Sequence, residues 1–234
     1  MNVLAFDTCF HACSAAVVTD AGGSWERATG SFERMSKGHA ERLIPMIDEV
    51  MRQAGLDFGD LSRIGVTVGP GSFSGTRIGV AAARAFALAY HIPLVGLSPL
   101  ALMAREAALW EAKAGPFHQP ILVCVDVRRG EVYVQLFDSS GQLAHGPSRL
   151  LTIEAAASLA SDHAAMAVGS GAEAVVALTG SAHKCRLAYP DLAPDALHAV
   201  TFVTSAPATT ASVSPLYLRP PDAKPSADAH IQRP

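Results

Sequence analysis

The chain has 234 residues, half of them hydrophobic, with a formal net charge of −3 and a mean hydropathy of +0.25. That length allows one large domain or two small lobes, each with its own core. The mildly acidic balance argues against a protein that binds nucleic acid by itself, since phosphate binding needs clustered Lys and Arg. The longest apolar run, residues 78–90, contains Arg84 and is too short to span a bilayer.

Two similar β-hairpins open the two halves of the sequence. Residues 2–19 alternate as two short strands around a turn, and residues 121–138 repeat this plan. The first strand of each pair ends on an aspartate, Asp7 in one and Asp126 in the other. Such self-similarity predicts a duplicated lobe. A single match of this kind also arises by chance, because β-hairpins with aspartate in the turn are common.

The segments between and after the hairpins are largely helical. Apolar residues from Leu43 to Ala54 follow helical spacing, and because Pro45 cannot sit deep inside an unkinked helix, we expect this helix to begin one turn earlier and to stop at Gly55. The other expected elements are strands at 64–68, 94–97 and 165–168 and helices at 76–90, 99–114, 153–161, 172–178 and 195–203.

Strands and helices mixed in both halves place the chain in the α/β class. We expect a first lobe over residues 1–115 and a second over residues 116–219, part of which packs back on the first. Residues 220–234 are rich in Pro, Ala and polar residues and are expected to be disordered. Two lobes that each open with an aspartate-bearing hairpin resemble the actin-like and Hsp70-like superfamily, whose members usually bind ATP between their lobes.

A glycine-rich loop joins the strand at 64–68 to the following helix. Its Gly69, Gly71, Ser72 and Gly75 match neither a Walker A loop nor the dinucleotide fingerprint. Free N–H groups at a helix N-terminus can still hold an anion, so these residues with Asp7 form a candidate residual nucleotide or phosphate site. The alternative, which we favour, is that the glycines supply positive φ for a sharp turn.

The helix after this loop has almost no polar face over residues 78–90. A helix that is apolar all round is buried on every side, so either it is wholly internal or a partner covers one face. Arg77 in its first turn opposes the helix dipole and so needs an acidic partner or solvent.

Evidence for catalytic chemistry in the sequence is thin. Asp7 and Asp126 are more typical of turn-capping residues than of catalysts. His39 and Glu41 have no second histidine one turn further on, so a helical metal pair is missing. Four cysteines lack metal or disulfide spacing, and the start MNVLAFDT lacks the features of a signal peptide, so we expect a cytoplasmic protein with reduced thiols.

Six stretches of sequence carry a resemblance to a known family. They are FDT at 6–8, GHAERLIP at 38–45, VGPGSFSGTRIG at 68–79, IPLVGLS at 92–98, DVRRGEVY at 126–133 and PLYLR at 215–219. In these stretches the chain is similar to TsaB, also called YeaZ. The resemblance extends over nearly the whole chain up to residue 219 and is weakest over residues 140–205.

The resemblance implies a function that the composition alone does not indicate. TsaB proteins are non-catalytic subunits of the bacterial machinery that makes N6-threonylcarbamoyladenosine at position 37 of tRNAs that read codons beginning with A. TsaD, a paralogue of the same fold, performs the transfer, and the ATPase TsaE joins the complex. The resemblance therefore implies TsaD and TsaE as partners, a homodimer as one state of the isolated chain, tRNA contact only through the complex, no membrane and no cofactor.

The same resemblance indicates an interface and the absence of a metal. In the family, the helix after the glycine loop and the helix with the His-Ala-Glu-Arg stretch pair with their counterparts in TsaD or in a second TsaB. Candidate interface residues here are Arg42, Met46, Ala82, Ala85, Phe86 and Ala89. The metal-binding histidine pair of TsaD falls near Pro99 and Met103, which cannot replace it, so no catalytic or metal residue is expected.

Two other functions remain open on the residues alone. The chain could be an independent ATP-using enzyme of the actin-like fold, such as a small kinase or ATPase, in which case Asp7 would handle phosphate and magnesium. The third function is that of a metalloprotease, which the missing histidine pair disfavours.

Overall fold

The computed structural model describes residues 1–20, 25–180, 185–206 and 213–219. The strands are β1 (Asn2–Asp7), β2 (Ala12–Asp20), β3 (Trp25–Arg34), β4 (Arg63–Thr67), β5 (Leu94–Leu97), β6 (Ile121–Asp126), β7 (Glu131–Phe137), β8 (Arg149–Thr152), β9 (Met166–Val168) and β10 (Arg186–Leu187). The α-helices are α1 (His39–Ala54), α2 (Phe73–Tyr90), α3 (Pro99–Ala114), α4 (Ile153–Asp162), α5 (Ala172–Ala177) and α6 (Val200–Ser205).

Within the described residues these strands form two sheets of the same design. The first has the order β3-β2-β1-β4-β5 and the second the order β10-β9-β6-β7-β8. In each, the central strand pairs antiparallel with the next strand and parallel with the strand that follows a helix. The duplicated, two-lobed α/β fold predicted from the hairpins is therefore confirmed.

The first lobe is built around its sheet with helices on both faces. On one face α1 and α2 cover a core that includes Phe6, Leu43, Ile47 and Ile64, all with at most 1% exposure. On the other face the 3₁₀ turn Ala196–Ala199 and α6 pack against β1, β4 and β5. The C-terminal part of the chain thus returns to the first sheet.

The second lobe has its own apolar layers. Leu122, Val132 and Val134 of its sheet pack under α4 and α5. On the opposite face Ile121 and Phe137 pack against α3. The division at residue 115 stays a prediction, although α3 precedes it and packs mainly on the second sheet.

Some details differ from the expectations. Strand β3 was not anticipated, because its sequence WERATGSFER mixes charged residues and glycine without a clear alternation. It forms the edge of the first sheet against β2. The expected disorder of residues 220–234 lies outside the described residues. None of the helices in the described ranges is long and apolar enough to cross a membrane.

Candidate docking face and interlobe cleft

The helix α2 begins at a well-formed cap. The Ser72 hydroxyl accepts a hydrogen bond from the Gly75 amide at 3.1 Å, and the Ser72 amide donates to the Cys9 carbonyl at 2.7 Å. A Cβ on Gly75 would collide with the Thr8 carbonyl, and one on Gly71 would collide with Cys9. These glycines therefore let the loop lie directly on the end of β1.

The outer face of α2 carries mostly apolar side chains beside Arg84, and among the described residues much of it is exposed. Gly79, Val80 and Ala83 point inward and are buried. The solvent side carries Ala81, Arg84, Ala85, Leu88 and Ala89, and Leu88 is 80% exposed. The helix contains neither Asp nor Glu. Of the two explanations offered by the sequence, a wholly internal helix is therefore wrong, and one face is left for a partner or solvent.

Two predicted interface residues of α2 lie between the core and the surface. Ala82 and Phe86 are half-buried and pack on the first core. The Phe86 ring stacks on Phe58 with ring centroids 4.8 Å apart, and Phe58 also stacks on Tyr90. Ala82 and Phe86 thus border the exposed face, whereas Ala85 and Ala89 lie on it.

The neighbouring helix α1 adds a second strip of surface. Ile44 is 49% exposed, and Arg42 is half-buried and pairs with Glu33 at 2.6 Å and with Glu49 at 3.4 Å. Met46, which the sequence suggested as an interface residue, is instead fully buried in the first core. The correction follows from helical geometry, because Met46 shares its side of α1 with Leu43 and Val50, which face the sheet.

Asp7 is enclosed where β1 meets the glycine loop. It has no exposed surface; the Thr67 hydroxyl donates to its Oδ1 at 2.6 Å and the Cys9 amide to its Oδ2 at 3.2 Å. Burial raises the pKa of the Asp7 carboxyl to about 7, although both hydrogen bonds act to lower it. Both carboxyl oxygens of Asp7 thus accept hydrogen bonds from within the first lobe.

The two hairpin aspartates play the same local role. The Asp7 carboxylate accepts from the amide two residues on, and Asp126 Oδ1 accepts from the Arg128 amide at 2.9 Å. This is the turn-capping geometry that favours aspartate at such positions. Residues 128–130 all have positive φ, which the capped turn accommodates.

An open cleft lies between the lobes, with a volume of about 630 Å³. Its walls come from the start of α2, the loop before α1, the β6–β7 hairpin and residues 213–219. Gly71, Ser72 and Gly75 line it, but Asp7 and Gly69 do not. The expected phosphate site at all five residues is therefore not assembled, because Asp7 is buried and a Cβ on Gly69 would strike the Leu216 carbonyl.

Residues 213–219, here called the C-terminal strap, join the two lobes. Val213 packs on the first core and Leu218 on the second. The Arg84 Nε donates to the Val213 carbonyl at 2.9 Å, and the Leu216 amide donates to Val68 at 2.6 Å. At its far end Arg219 pairs with Glu131 of β7 at 2.5 Å.

The strap also explains the unusual cation at the start of α2. The Arg77 guanidinium lies 3.7 Å from the centroid of the Phe73 ring, and its Nε donates to the Tyr217 hydroxyl at 2.9 Å. The Phe73 and Tyr217 rings are themselves 5.3 Å apart. Two aromatic rings, one of them the phenol of Tyr217, thus contact Arg77 in place of the acidic partner or solvent that the sequence left open.

The two positions at which the resemblance would place a metal-binding histidine pair are structural. Pro99 and Met103 lie in the first turns of α3 and are buried, with Met103 in the core of the second lobe. Among the described residues no three His, Cys, Asp or Glu side chains come together as a metal site.

Two duplicated lobes with a cleft between them define an actin-like α/β protein. Comparisons with known proteins refine this. A family model described as "TsaD: tRNA N6-adenosine threonylcarbamoyltransferase" matches residues 33–209. The chain belongs to the family that this model describes and, within it, to the TsaB (YeaZ) group.

Individual relatives agree with this placement. The chain is 34% identical over 133 residues to the tRNA threonylcarbamoyladenosine biosynthesis protein TsaB of Escherichia coli (strain K12), covering 57% of this chain and 53% of the relative. It is 33% identical over 230 residues to the uncharacterized protein Rv3421c of Mycobacterium tuberculosis (strain ATCC 25618 / H37Rv), covering 97% and 95%. The chain spans about half the length of the TsaB relatives it matches.

A crystal structure gives the same result in three dimensions. It is an uncharacterized protein with similarity to peptidase YEAZ, from Pseudomonas aeruginosa. The TM-score is 0.78 with 26% identity, and the match covers 93% of this chain and 99% of that one.

Proposed function

We propose that the chain is a non-catalytic scaffold subunit of the bacterial complex that forms N6-threonylcarbamoyladenosine at position 37 of tRNAs reading codons that begin with A. In this proposal it binds and activates TsaD, TsaE joins the pair, and tRNA is contacted only through the assembled complex. The proposal places the protein in the cytoplasm and allows a homodimer when TsaD is absent. The names of its TsaB relatives support the pathway.

The observation that carries the docking role is the outer face of α2. Leu88 is 80% exposed amid Ala81, Ala85 and Ala89, on a helix that has no acidic residue. Ile44 is a further exposed apolar side chain, on the neighbouring helix α1. Small side chains allow another helix to approach closely. Covering a bulky exposed leucine removes apolar surface from water, which stabilises the complex. A helical partner of similar character fits this face.

Support for a non-catalytic role comes from the positions that chemistry would need. Asp7 is enclosed in the first lobe, and the aligned metal positions hold Pro99 and Met103 in packed surroundings. The competing function, an independent ATP-using enzyme, gains no support from this arrangement. It requires an Asp7 carboxylate that reaches phosphate, whereas this carboxylate accepts from Thr67 and Cys9.

The test is binding to TsaD of the same organism, followed by sedimentation velocity at micromolar concentration. We expect the wild-type chain to form a complex and Leu88→Glu to weaken it by at least about tenfold, since burying an unpaired carboxylate is costly. The matched control is Leu178→Glu, because Leu178 is also exposed, at 54%, but lies at the end of α5 in the second lobe.

The outcomes separate clearly. If Leu88→Glu and Leu178→Glu bind TsaD equally, the docking face is wrongly placed. If the folded wild-type chain does not bind TsaD at all, the scaffold role is lost. A companion variant, Ala85→Glu, probes the same face at a smaller side chain and is expected to remain folded, because Ala85 is exposed.

A further inference from the structure

The cleft between the lobes is large enough to be a binding site in its own right. Its volume of about 630 Å³ lies within the range of pockets that hold small organic molecules. Aromatic rings of Phe10, Phe73, Tyr133 and Tyr217 contribute to its walls, from both lobes and the strap. Such walls favour a ligand with a planar body, which stacks or packs edgewise on the rings.

A buried phenol points a free polar group into this cleft. Tyr133 of β7 is only 6% exposed, and its hydroxyl makes no hydrogen bond to any residue that the structure describes. Within the same ranges, no fully buried side-chain oxygen or nitrogen lacks a partner. The Tyr133 hydroxyl is therefore not fully buried, and Tyr133 lines the cleft. A polar atom held in this way is available to a ligand.

Other lining residues of the cleft supply hydrogen-bond donors and positive charge. The amides of Phe73 and Ser74, the first two residues of α2, donate to no described residue, because the Ser72 cap serves Gly75 instead. The start of this helix carries partial positive charge. Lys37 also lines the cleft and has no ion-pair partner among the described side chains.

The charge of the cleft limits how much negative charge it accepts. Glu41 and Asp126 line it as well, and Arg219 is already paired with Glu131. Lys37 is therefore the one lining Lys or Arg, within the described part of the chain, that is not already neutralised by an acid. One oxyanion group matches this inventory, whereas a triphosphate would meet two carboxylates without compensation.

We propose that the interlobe cleft binds a small molecule with one oxyanion group, a carboxylate or a phosphate, on a planar aromatic body. The oxyanion accepts from the amides of Phe73 and Ser74 and faces Lys37. The planar body lies among the aromatic rings, where the Tyr133 hydroxyl bonds to one of its polar atoms. This site does not depend on the docking of TsaD and does not use Asp7.

The test is titration of the purified 234-residue chain with three probes, monitored by NMR and calorimetry. Adenosine 5′-monophosphate carries a ring and a phosphate, hippurate carries a ring and a carboxylate, and adenosine carries a ring alone. We expect at least one of the two anions to bind with a dissociation constant below about 10 mM and adenosine to bind at least about fivefold more weakly. Which anion binds identifies the phosphate or the carboxylate as the recognised group.

Variants then locate the site. Tyr133→Phe removes one unpaired hydroxyl and should weaken binding about 2- to 10-fold without unfolding the chain. Lys37→Ala should weaken it by a similar factor, and Lys113→Ala, an exposed lysine at the end of α3, should leave it unchanged. The proposal is overturned if neither anion binds, if adenosine binds as well as the anions, or if Tyr133→Phe and Lys37→Ala both bind like wild type.

Discussion

Asp7 gives a quantitative test of how the first lobe is held together. The carboxyl group is fully buried, accepts from Thr67 and from the Cys9 amide, and has its pKa raised by burial from 3.8 to about 7. The substitution Asp7→Asn keeps the shape and removes the charge. Its amide nitrogen can donate to the Thr67 oxygen, whose hydrogen then turns to the Cys9 sulfur 3.2 Å away. The remaining Asn oxygen still accepts from the Cys9 amide.

The sign of the effect follows from proton linkage. The folded state holds the proton on Asp7 up to about pH 7, whereas the unfolded chain releases it near 3.8. The stabilising contribution of this proton is thus fully present below the unfolded pKa and is lost as pH rises through the folded pKa. Each pKa unit corresponds to about 1.4 kcal/mol. Between about pH 5 and 7 the free energy of unfolding of the wild-type chain therefore falls by up to about 3 kcal/mol, a loss that Asp7→Asn does not suffer.

The assay is urea unfolding of both proteins at several pH values between about 5 and 8. The difference in free energy of unfolding between the variant and wild type is compared, because the contributions of groups that titrate equally in both proteins then cancel. That difference should rise with pH and level off above about pH 7 in favour of Asp7→Asn. Asp48→Asn, at an exposed ion pair on α1, is the control and should give a flat difference. A flat curve for Asp7→Asn would mean that Asp7 is ionised at little cost, and the account of its burial would fail.

Three further substitutions test packing, the loop and the strap. Ile64→Ala, at a side chain with no exposure in the first core, should lower the free energy of unfolding by about 2–5 kcal/mol in urea titrations. Gly75→Ala should lower the melting temperature by several degrees, because the added Cβ collides with the Thr8 carbonyl; an unchanged melting temperature would show that the loop can shift. Tyr217→Phe removes the hydrogen bond from Arg77 and should cost about 0.5–1.5 kcal/mol by the same unfolding assay, while any larger loss would assign the strap a greater role.

The sequence predicted those parts of the fold that depend on local patterns. Alternating apolar residues in residues 2–19 and 121–138 predicted both hairpins, and their similarity predicted the duplicated lobes. Helical spacing and Gly55 predicted α1 and its end at Ala54, but α1 begins at His39, so Pro45 lies further inside the helix than expected. Strand β3 was not predicted from the sequence, because an edge strand with one neighbour needs no continuous apolar pattern.

The candidate sites depended on tertiary packing that a sequence does not display. The spacing of α1 allowed either side to face outward, and the structure turns Met46 to the core and Ile44 to the surface. The α2 pattern left open whether the helix is wholly internal or has one face for a partner, and the structure leaves Leu88 80% exposed. Tyr133 could not be singled out, since the sequence does not show that this side chain lines the cleft.

The strap has a mechanical consequence for the molecule. A short stretch of chain is anchored in the packed interior of each lobe, at Val213 in the first and at Leu218 in the second. A large rotation of one lobe relative to the other would have to remove Val213 or Leu218 from its apolar core or break the ion pair between Arg219 and Glu131. These contacts therefore oppose a change in the angle between the two lobes.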